Sequence, residues 1–441
     1  MGFYQYIYTL ISLLLSGCLI SARYVRDNLD AIKASMKKRQ WEFDIDRILI
    51  LDERWRALKT ETQALQEKRN KSSLAISELK KKKNEEEAEE VRKTLVEVKA
   101  KIEENEKALA DHERQINDLL WNMPNILHSS VPYGKDESEN VVVRKFMEPK
   151  QGKAKGHEEI LTNLGLLDIE RAAKTAGARF YYLKGDLVLL DYSLMRYALD
   201  LLGKKGYVPV EPPYMLRQKL YKGVTALGDF DEVLYKIGGG EENDDLRLIA
   251  TSEHSIAAMF SDEILDKSKL PLKYAGISPA FRMEVGTHGK DTKGIFRVHQ
   301  FNKIEQFAFT RPEDSWAILD EAVANHEQIF KELKIPYRIM NMCTGDLGIV
   351  AAKKYDLEAY MPSQDKYREM GSCSNCTDWQ SMRLNIRFED AEERKYVHTI
   401  NATAIATSRT MVAIIENYVN DDGTITVPDV LVPYMGKRKI G

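Results

Sequence analysis

The sequence predicts an α+β protein: an N-terminal antiparallel α-helical coiled-coil arm, followed by a second domain built on an antiparallel β-sheet flanked by helices. Three observations carry that expectation. Two long heptad runs stand on either side of a short charged tract, Pro124 and Pro132-Tyr133-Gly134 then break the helical rhythm, and beyond His157 short apolar runs alternate with helical stretches.

The arm comes first. From Ile48 the seam positions step by three and four through Leu51, Trp55, Leu58, Thr62, Leu65, Arg69, Ser72, Ile76 and Leu79. After Lys80-Lys81-Lys82-Lys83-Asn84-Glu85-Glu86-Glu87 the same rhythm resumes at Val91, Leu95, Val98, Ile102, Asn105, Leu109, His112, Ile116 and Leu119. A 3.5-residue repeat on both sides of a hydrophilic turn predicts two helices folded back on each other over about 45–121, roughly 50 Å long at 1.5 Å rise per residue. Read from pattern alone, such an arm is a spacer or a dimerising coiled coil. Its bases, among them Lys68, Arg69, Lys71, Arg92 and Lys93, are interspersed with Glu.

The second region is expected to begin near residue 131 and run to 441. Strands are expected at Leu187–Leu190, Leu246–Ala250, Phe296–Phe309 and Arg383–Phe388, and helices at Ser193–Gly203 and Ser408–Tyr418. Gly238-Gly239-Gly240 reads as a hairpin tip.

Composition bounds the function without choosing it. With 441 residues and 43% hydrophobic content, the chain can bury two or three domains. Lys and Arg (65) nearly balance Asp and Glu (68), so any nucleic-acid footprint has to be local. Four cysteines, Cys18, Cys343, Cys373 and Cys376, fit a reducing compartment, with the cytoplasm as the expected location. Residues 1–22 form an uncharged apolar extension preceding a 23–130 region. No Lys or Arg precedes the apolar run, although Leu15-Ser16-Gly17-Cys18 resembles a lipoprotein cleavage site. An unused extension, a membrane anchor and a packed helix all remain open readings of it.

No P-loop pattern and no strand-linked G-x-G-x-x-G is present, so an ATP site here would be of another type. Around residues 281–305, two arginines, an acid and aromatics flank a polar turn containing Lys290-Asp291-Thr292-Lys293. Strand alternation would put Arg297, His299, Phe301, Lys303 and Glu305 on one face, suited to an anionic ligand and a stacked base. An exposed charged hairpin fits the same residues.

Those residues, with several other spaced segments, resemble the class II seryl-tRNA synthetases over nearly everything after residue 22. Phe281-Arg282-x-Glu284 through Arg297-x-His299-Gln300-Phe301-x-Lys303-x-Glu305 is similar to that family's second class motif. Glu369-x-x-Ser372-Cys373-Ser374-Asn375-Cys376 resembles its signature loop, and His398-Thr399-Ile400-Asn401 leading to Arg409 and Glu416-Asn417-Tyr418 its third motif. Thr251-Ser252-Glu253 resembles its amino-acid-binding loop, and Gly206-Tyr207 to Pro212-Pro213 the first motif, at a homodimer interface. Asn401 to Arg409 lacks the glycines of many bacterial members and resembles archaeal and eukaryotic ones.

The resemblance implies an enzyme that activates L-serine with ATP and transfers it to tRNA(Ser), with tRNA(Sec) as a further substrate of the family, residues 23–130 with their hairpin as the tRNA-binding domain and 131–441 as the class II catalytic domain. It assigns Arg282, Glu369 and Arg409 to catalysis, and Thr251, Ser252, Glu253, Arg282, Glu305 and Thr403 to serine. It assigns ATP to Arg282, Met283, Glu284, Val298, Phe301, Glu369, Met370, Gly371, Ser372 and Arg409, and Mg²⁺ to Glu369 and Ser372. The chemistry agrees: charge that accumulates on a phosphoryl group calls for planar cations and oxygen-held metal, not a protein nucleophile. A pocket that pairs a hydroxyl would reject alanine by a factor on the order of 10⁴. Cys373-x-x-Cys376 has half a zinc site's spacing and is expected to pack without metal, and His254, His288 and His398 are expected to be ordinary hydrogen-bonding residues. Rival readings are a paralogue that loads a small amino acid onto a carrier protein, or a non-catalytic RNA-binding paralogue. A shortened arm would favour the first, and loss of Arg282, Glu305, Glu369 or Arg409 the second.

Overall fold

The computed structural model describes residues 22–149, 155–226, 232–241, 244–284, 294–391 and 393–441. The apolar start, His288 and the Lys290–Lys293 turn lie outside the described residues. The chain divides into two compact units, with the boundary along the sequence between Met123 and Pro124.

The first unit holds α1 (Ala22–Asp27), α2 (Leu29–Arg39), α3 (Ile45–Lys81) and α4 (Glu85–Trp121). Asp44 caps α3, accepting the Arg47 amide at 3.0 Å. The expected arm is present, but its turn is shorter than the charged tract. Lys80 and Lys81 belong to the last turn of α3, and Glu85, Glu86 and Glu87 to the first turn of α4. Each set of charges opposes the dipole of its own helix end, which leaves only residues 82–84 to reverse the chain. Ile48, Leu51 and Thr62 of α3 and Val98, Ile102, Asn105 and Ile116 of α4 are buried along the seam. The Thr62 hydroxyl is satisfied internally by the Leu58 carbonyl at 2.7 Å. At the base of the arm, buried Asp52 pairs with Arg56 at 2.9 Å and with Arg26.

The second unit is organised by an eight-stranded sheet. Its strands are β1 (Val141–Phe146), β2 (Val208–Val210), β3 (Leu272–Phe281), β4 (Gln300–Thr310), β5 (Tyr337–Asn341), β6 (Lys353–Met361), β7 (Lys366–Thr377) and β8 (His398–Ala406). They lie in the order β1-β5-β6-β7-β8-β4-β3-β2. Every neighbouring pair is antiparallel except β2 and β3, so the expected antiparallel sheet carries one parallel edge strand.

Helices α5 (Asp186–Lys204), α6 (Ser252–Ala258), α7 (Ser315–Glu332), α8 (Trp379–Leu384) and α9 (Thr407–Tyr418) are divided between two apolar clusters. Ile304 and Ala308 of β4 join the cluster that contains α5, α7 and α9, whereas Phe307 and Phe309 join the one that contains α6. Period-two alternation therefore gives β4 two different faces, and Lys303 and Glu305 share the face of Phe307 and Phe309.

Some strand expectations are corrected. Leu187–Leu190 is the first turn of α5, because Leu187, Leu190, Leu194, Ala198 and Leu201 recur at helical spacing and are all buried. The strand expected from Phe296 begins only at Gln300, so Arg297 and His299 precede the pleat and do not alternate with Phe301. Arg383 lies in α8, and the strand there is Arg387–Asp390, part of a small separate sheet. Gly238–Gly240 falls within the strand Lys236–Glu241. Among the described residues no helix is long and apolar enough to cross a membrane.

Candidate active site

On the α6 face of the sheet, β4, β7 and β8 form the floor of a cavity of about 360 Å³. Thr251, Glu253, Arg282, Glu305, Glu369, Ser372 and Thr403, all singled out in the sequence, line it. Ser252, Met283, Glu284, Val298, Phe301, Met370, Gly371 and Arg409 stand outside the lining. Ser252 turns toward Gly276 of β3, and Met370 and Val298 are buried in the apolar core.

Two irregularities aim the strands. Along β6 and β7, Leu357 pairs with Gly371 and Glu358 with Glu369, so Met370 is an extra residue in the ladder. Along β4 and β8, Ile304 pairs with Ile405 and Glu305 with Thr403, which leaves Ala404 extra. The expected signature loop is thus part of a bulged strand, and Glu369, Ser372, Ser374 and Cys376 all reach the cavity. Gly371 is required by close approach, since a Cβ there would lie 2.4 Å from that of Thr403.

Around Glu253 the cavity is acidic and polar. Thr251 caps α6, so the expected loop is the entrance and first turn of a helix. Glu253 Oε1 accepts from Gln380 of α8 at 3.0 Å and from Asn401 of β8 at 2.9 Å. Burial, reinforced by the charge of Glu305, pushes the Glu253 carboxyl up to about 7. Glu305, 1% exposed, is ion-paired with Lys303, which also donates to Thr251 Oγ1 at 3.3 Å. Burial raises the Glu305 carboxyl against the opposing pull of Lys303. Behind this wall His254 meets the Tyr221 hydroxyl, and burial followed by the charges of Arg282 and Lys303 lowers its imidazole to about 3. It is a neutral, hydrogen-bonded core residue, as expected.

Around Glu369 the cavity is cationic. Arg409 sits in the first turn of α9, with Nη1 3.3 Å from Glu369 Oε1 and 3.1 Å from the Glu369 carbonyl oxygen. Enclosure acts to raise the Glu369 carboxyl, but Arg409, Lys354 and Arg282 outweigh it and hold it well below the usual carboxylate range. Arg282 follows β3, donates from Nε to the Ala250 carbonyl at 3.3 Å, and lies 5.3 Å from the Phe301 ring centroid. Arg409 lies in the same way 5.4 Å from Phe296. Glu284, left-handed at φ 45°, faces Arg297 at 3.7 Å.

This arrangement sorts charge within one cavity: fixed cations with an ionised carboxylate in one region, protected carboxyls with short hydroxyls in the other. Comparison with known proteins identifies the family. The profile of the seryl-tRNA synthetase N-terminal domain matches residues 19–127, and that of the tRNA synthetase class II core domain (G, H, P, S and T) matches 235–418. The serine–tRNA ligase of Thermococcus sibiricus is 50% identical over 96% of this chain and 97% of its own. The chain belongs to the seryl-tRNA synthetase family. That of Methanoregula boonei is 49% identical over 96% of this chain and all of its own. Among solved structures, the Pyrococcus horikoshii seryl-tRNA synthetase complexed with ATP superposes with a TM-score of 0.88 at 46% identity, covering 95% of this chain and 99% of that one. The cytoplasmic serine–tRNA ligase of Naegleria fowleri in complex with AMP gives 0.84 at 37%, covering 94% and 96%. A Giardia lamblia prolyl-tRNA synthetase, at 20% identity and a TM-score of 0.56, shares the fold.

For this seryl-tRNA synthetase family member, sequence reasoning missed residues that act through others. Lys354 and Asp356 lie on β6, and burial pushes the Asp356 carboxyl up to about 7. Gln380 and Asn401 hold Glu253. The alternation of Lys354 and Asp356 was a usable signal, whereas nothing local marks Gln380. Cys373 and Cys376 are free and buried, and no metal-holding group of His, Cys, Asp or Glu occurs among the described residues.

Proposed function

We propose that this cavity forms seryl-adenylate from serine and ATP, and that serine then passes to the 3′ end of tRNA(Ser). The observation that carries the reading is the meeting of Glu253, Glu305 and Thr403 with Arg282 and Glu369 in one lining. A serine carboxylate oxygen attacks the α-phosphorus, and the bond to pyrophosphate breaks. Glu253 and Glu305 receive the substrate ammonium and hydroxyl, with Thr251 and Thr403 as short polar neighbours. Arg282 bridges the carboxylate and the α-phosphate, and Arg409 holds distal phosphate oxygens. Fixed cations lower the barrier because the charge they meet grows in the transition state. Phe301 is the surface for adenine, with Glu284 and the Val298 backbone at its edge.

The oxygen donors fit a hard cation: Glu369 is held ionised, and Ser372, while bonded to Asp356, keeps lone pairs on the cavity side. Glu369 and Ser372 would hold Mg²⁺, which when bound neutralises phosphate charge. In the second step a ribose hydroxyl of the terminal adenosine attacks the acyl carbon and AMP leaves.

The protein acts as a homodimer joined through the first class motif. Edge strand β2 and the outer side of α5 support this by leaving Val208 55%, Leu189 49% and Tyr192 64% exposed. We place it in the cytoplasm, consistent with its buried free thiols, and extend its substrates to tRNA(Sec) on family grounds. The arm binds tRNA by shape and backbone contacts.

Serine-dependent pyrophosphate exchange followed by charging of unfractionated tRNA tests the whole reading. Replacing the arm by a short loop from Asp46 to Leu120 should leave exchange within about twofold of the full chain and remove charging, because the arm's loss costs phosphate contacts only. Charging with unchanged affinity and salt dependence would end the assignment of the arm.

A further inference from the structure

We infer that His157 is a positioning residue, tying the backbone at Ile295 to the last turn of α9 and so fixing Phe296 and Arg409 relative to each other. The side chain is 9% exposed and lies between partners distant in sequence. Its Nδ1 is 3.0 Å from Glu416 Oε1, and its Nε2 is 3.2 Å from the Ile295 amide nitrogen. Glu416 also accepts the His157 amide on Oε1 and the Ser363 amide on Oε2, each at 3.2 Å.

These partners dictate one tautomer. Burial acts to raise the Glu416 carboxyl, but bonds from His157 and Ser363 outweigh it and hold it below its usual value. A carboxylate only accepts, so Nδ1 carries the proton. A backbone amide only donates, so Nε2 must be bare. Gly294, at φ 70°, closes over the ring: a Cβ there would stand 2.0 Å from Nε2.

The contacts form a closed circuit. Ile295, fully buried, precedes Phe296, whose ring lies 5.4 Å from the Arg409 guanidinium and 5.1 Å from that of Arg368. Arg409 reaches Glu369 and belongs to α9, and α9 returns to His157 through Glu416. His157 lies outside the cavity lining, so it acts only through these neighbours. The inference rests on the proposal that Arg409 and Glu369 serve ATP and not serine.

Steady-state exchange kinetics of three variants of the full chain test it. His157→Gln keeps a donor and an acceptor, His157→Asn is too short to reach Ile295, and His157→Leu keeps bulk alone. Asn and Leu should raise the KM for ATP about tenfold, the scale of one lost buried bond, with the serine KM within about twofold; Gln should stay within about threefold of wild type in both. Should Leu not fold, Asn carries the comparison. An ATP KM unchanged in Asn, or ATP and serine KM values that rise in step, would overturn the inference. Absence of exchange in the wild type would instead overturn the reading it rests on.

Discussion

Around Glu253 and Glu305 burial pushes carboxyls up, whereas around Glu369 three cations hold a carboxyl down, although all three acids line one cavity. The difference lies in what each region keeps for itself. Glu369 has its counter-charges built in, from Arg409, Lys354 and Arg282. Glu253 has neutral donors, Gln380 and Asn401, and Lys303 is the cation that acts most strongly on both acids. A region with surplus acid awaits a cation, the part that the proposed function gives to the serine ammonium. One with surplus guanidinium awaits an anion, the part that the proposed function gives to ATP.

The largest expected effect attacks the acidic region. Glu305→Gln should lower serine activation about 10²–10³-fold, because it removes a substrate partner and leaves Lys303 buried without its counter-ion. Exchange assays beside thermal melts separate lost chemistry from lost fold, and a folded variant with wild-type exchange would break the contrast. Next, Arg409→Lys should lower the turnover of exchange about 10–100-fold while the serine KM stays within about twofold, since an ammonium cannot reproduce a planar fork. A serine KM that rises in proportion would merge the two regions.

The smallest effect is a pH dependence. Glu253 is neutral below about 7 and ionised above it, so affinity for the serine ammonium should increase as pH rises through about 7. The sign for the free protein is the reverse: a raised carboxyl contributes stability at low pH that is lost as pH rises through that value. The serine KM measured across this range should fall about tenfold, and Glu253→Gln should flatten the profile.

What the sequence disclosed follows physical range. The arm was legible because a seven-residue repeat over many turns has one structural solution, and Thr62 and Asn105 kept their places in it. Leu187–Leu190 was not, since four successive apolar residues satisfy a buried strand and a buried helix alike, and only Leu194, Ala198 and Leu201 decide. Arg282, Glu369 and Arg409 stood out through resemblance. Their supports did not: Gln380 reaches Glu253 from 127 residues away and His157 reaches Glu416 from 259, separations that no local pattern encodes.

A regular pleat would send Glu369 and Ser372, three residues apart, to opposite sides of the sheet. They share the cavity because Met370 is counted out of the ladder. The spelling of this segment therefore includes its length. Lengthening β7 by one residue between them, with the single bulge kept, would leave every acid and hydroxyl in the sequence, yet would turn one of the two toward the apolar layer that holds Cys373. Between these two residues, descent should tolerate many exchanges of letters and almost no insertion.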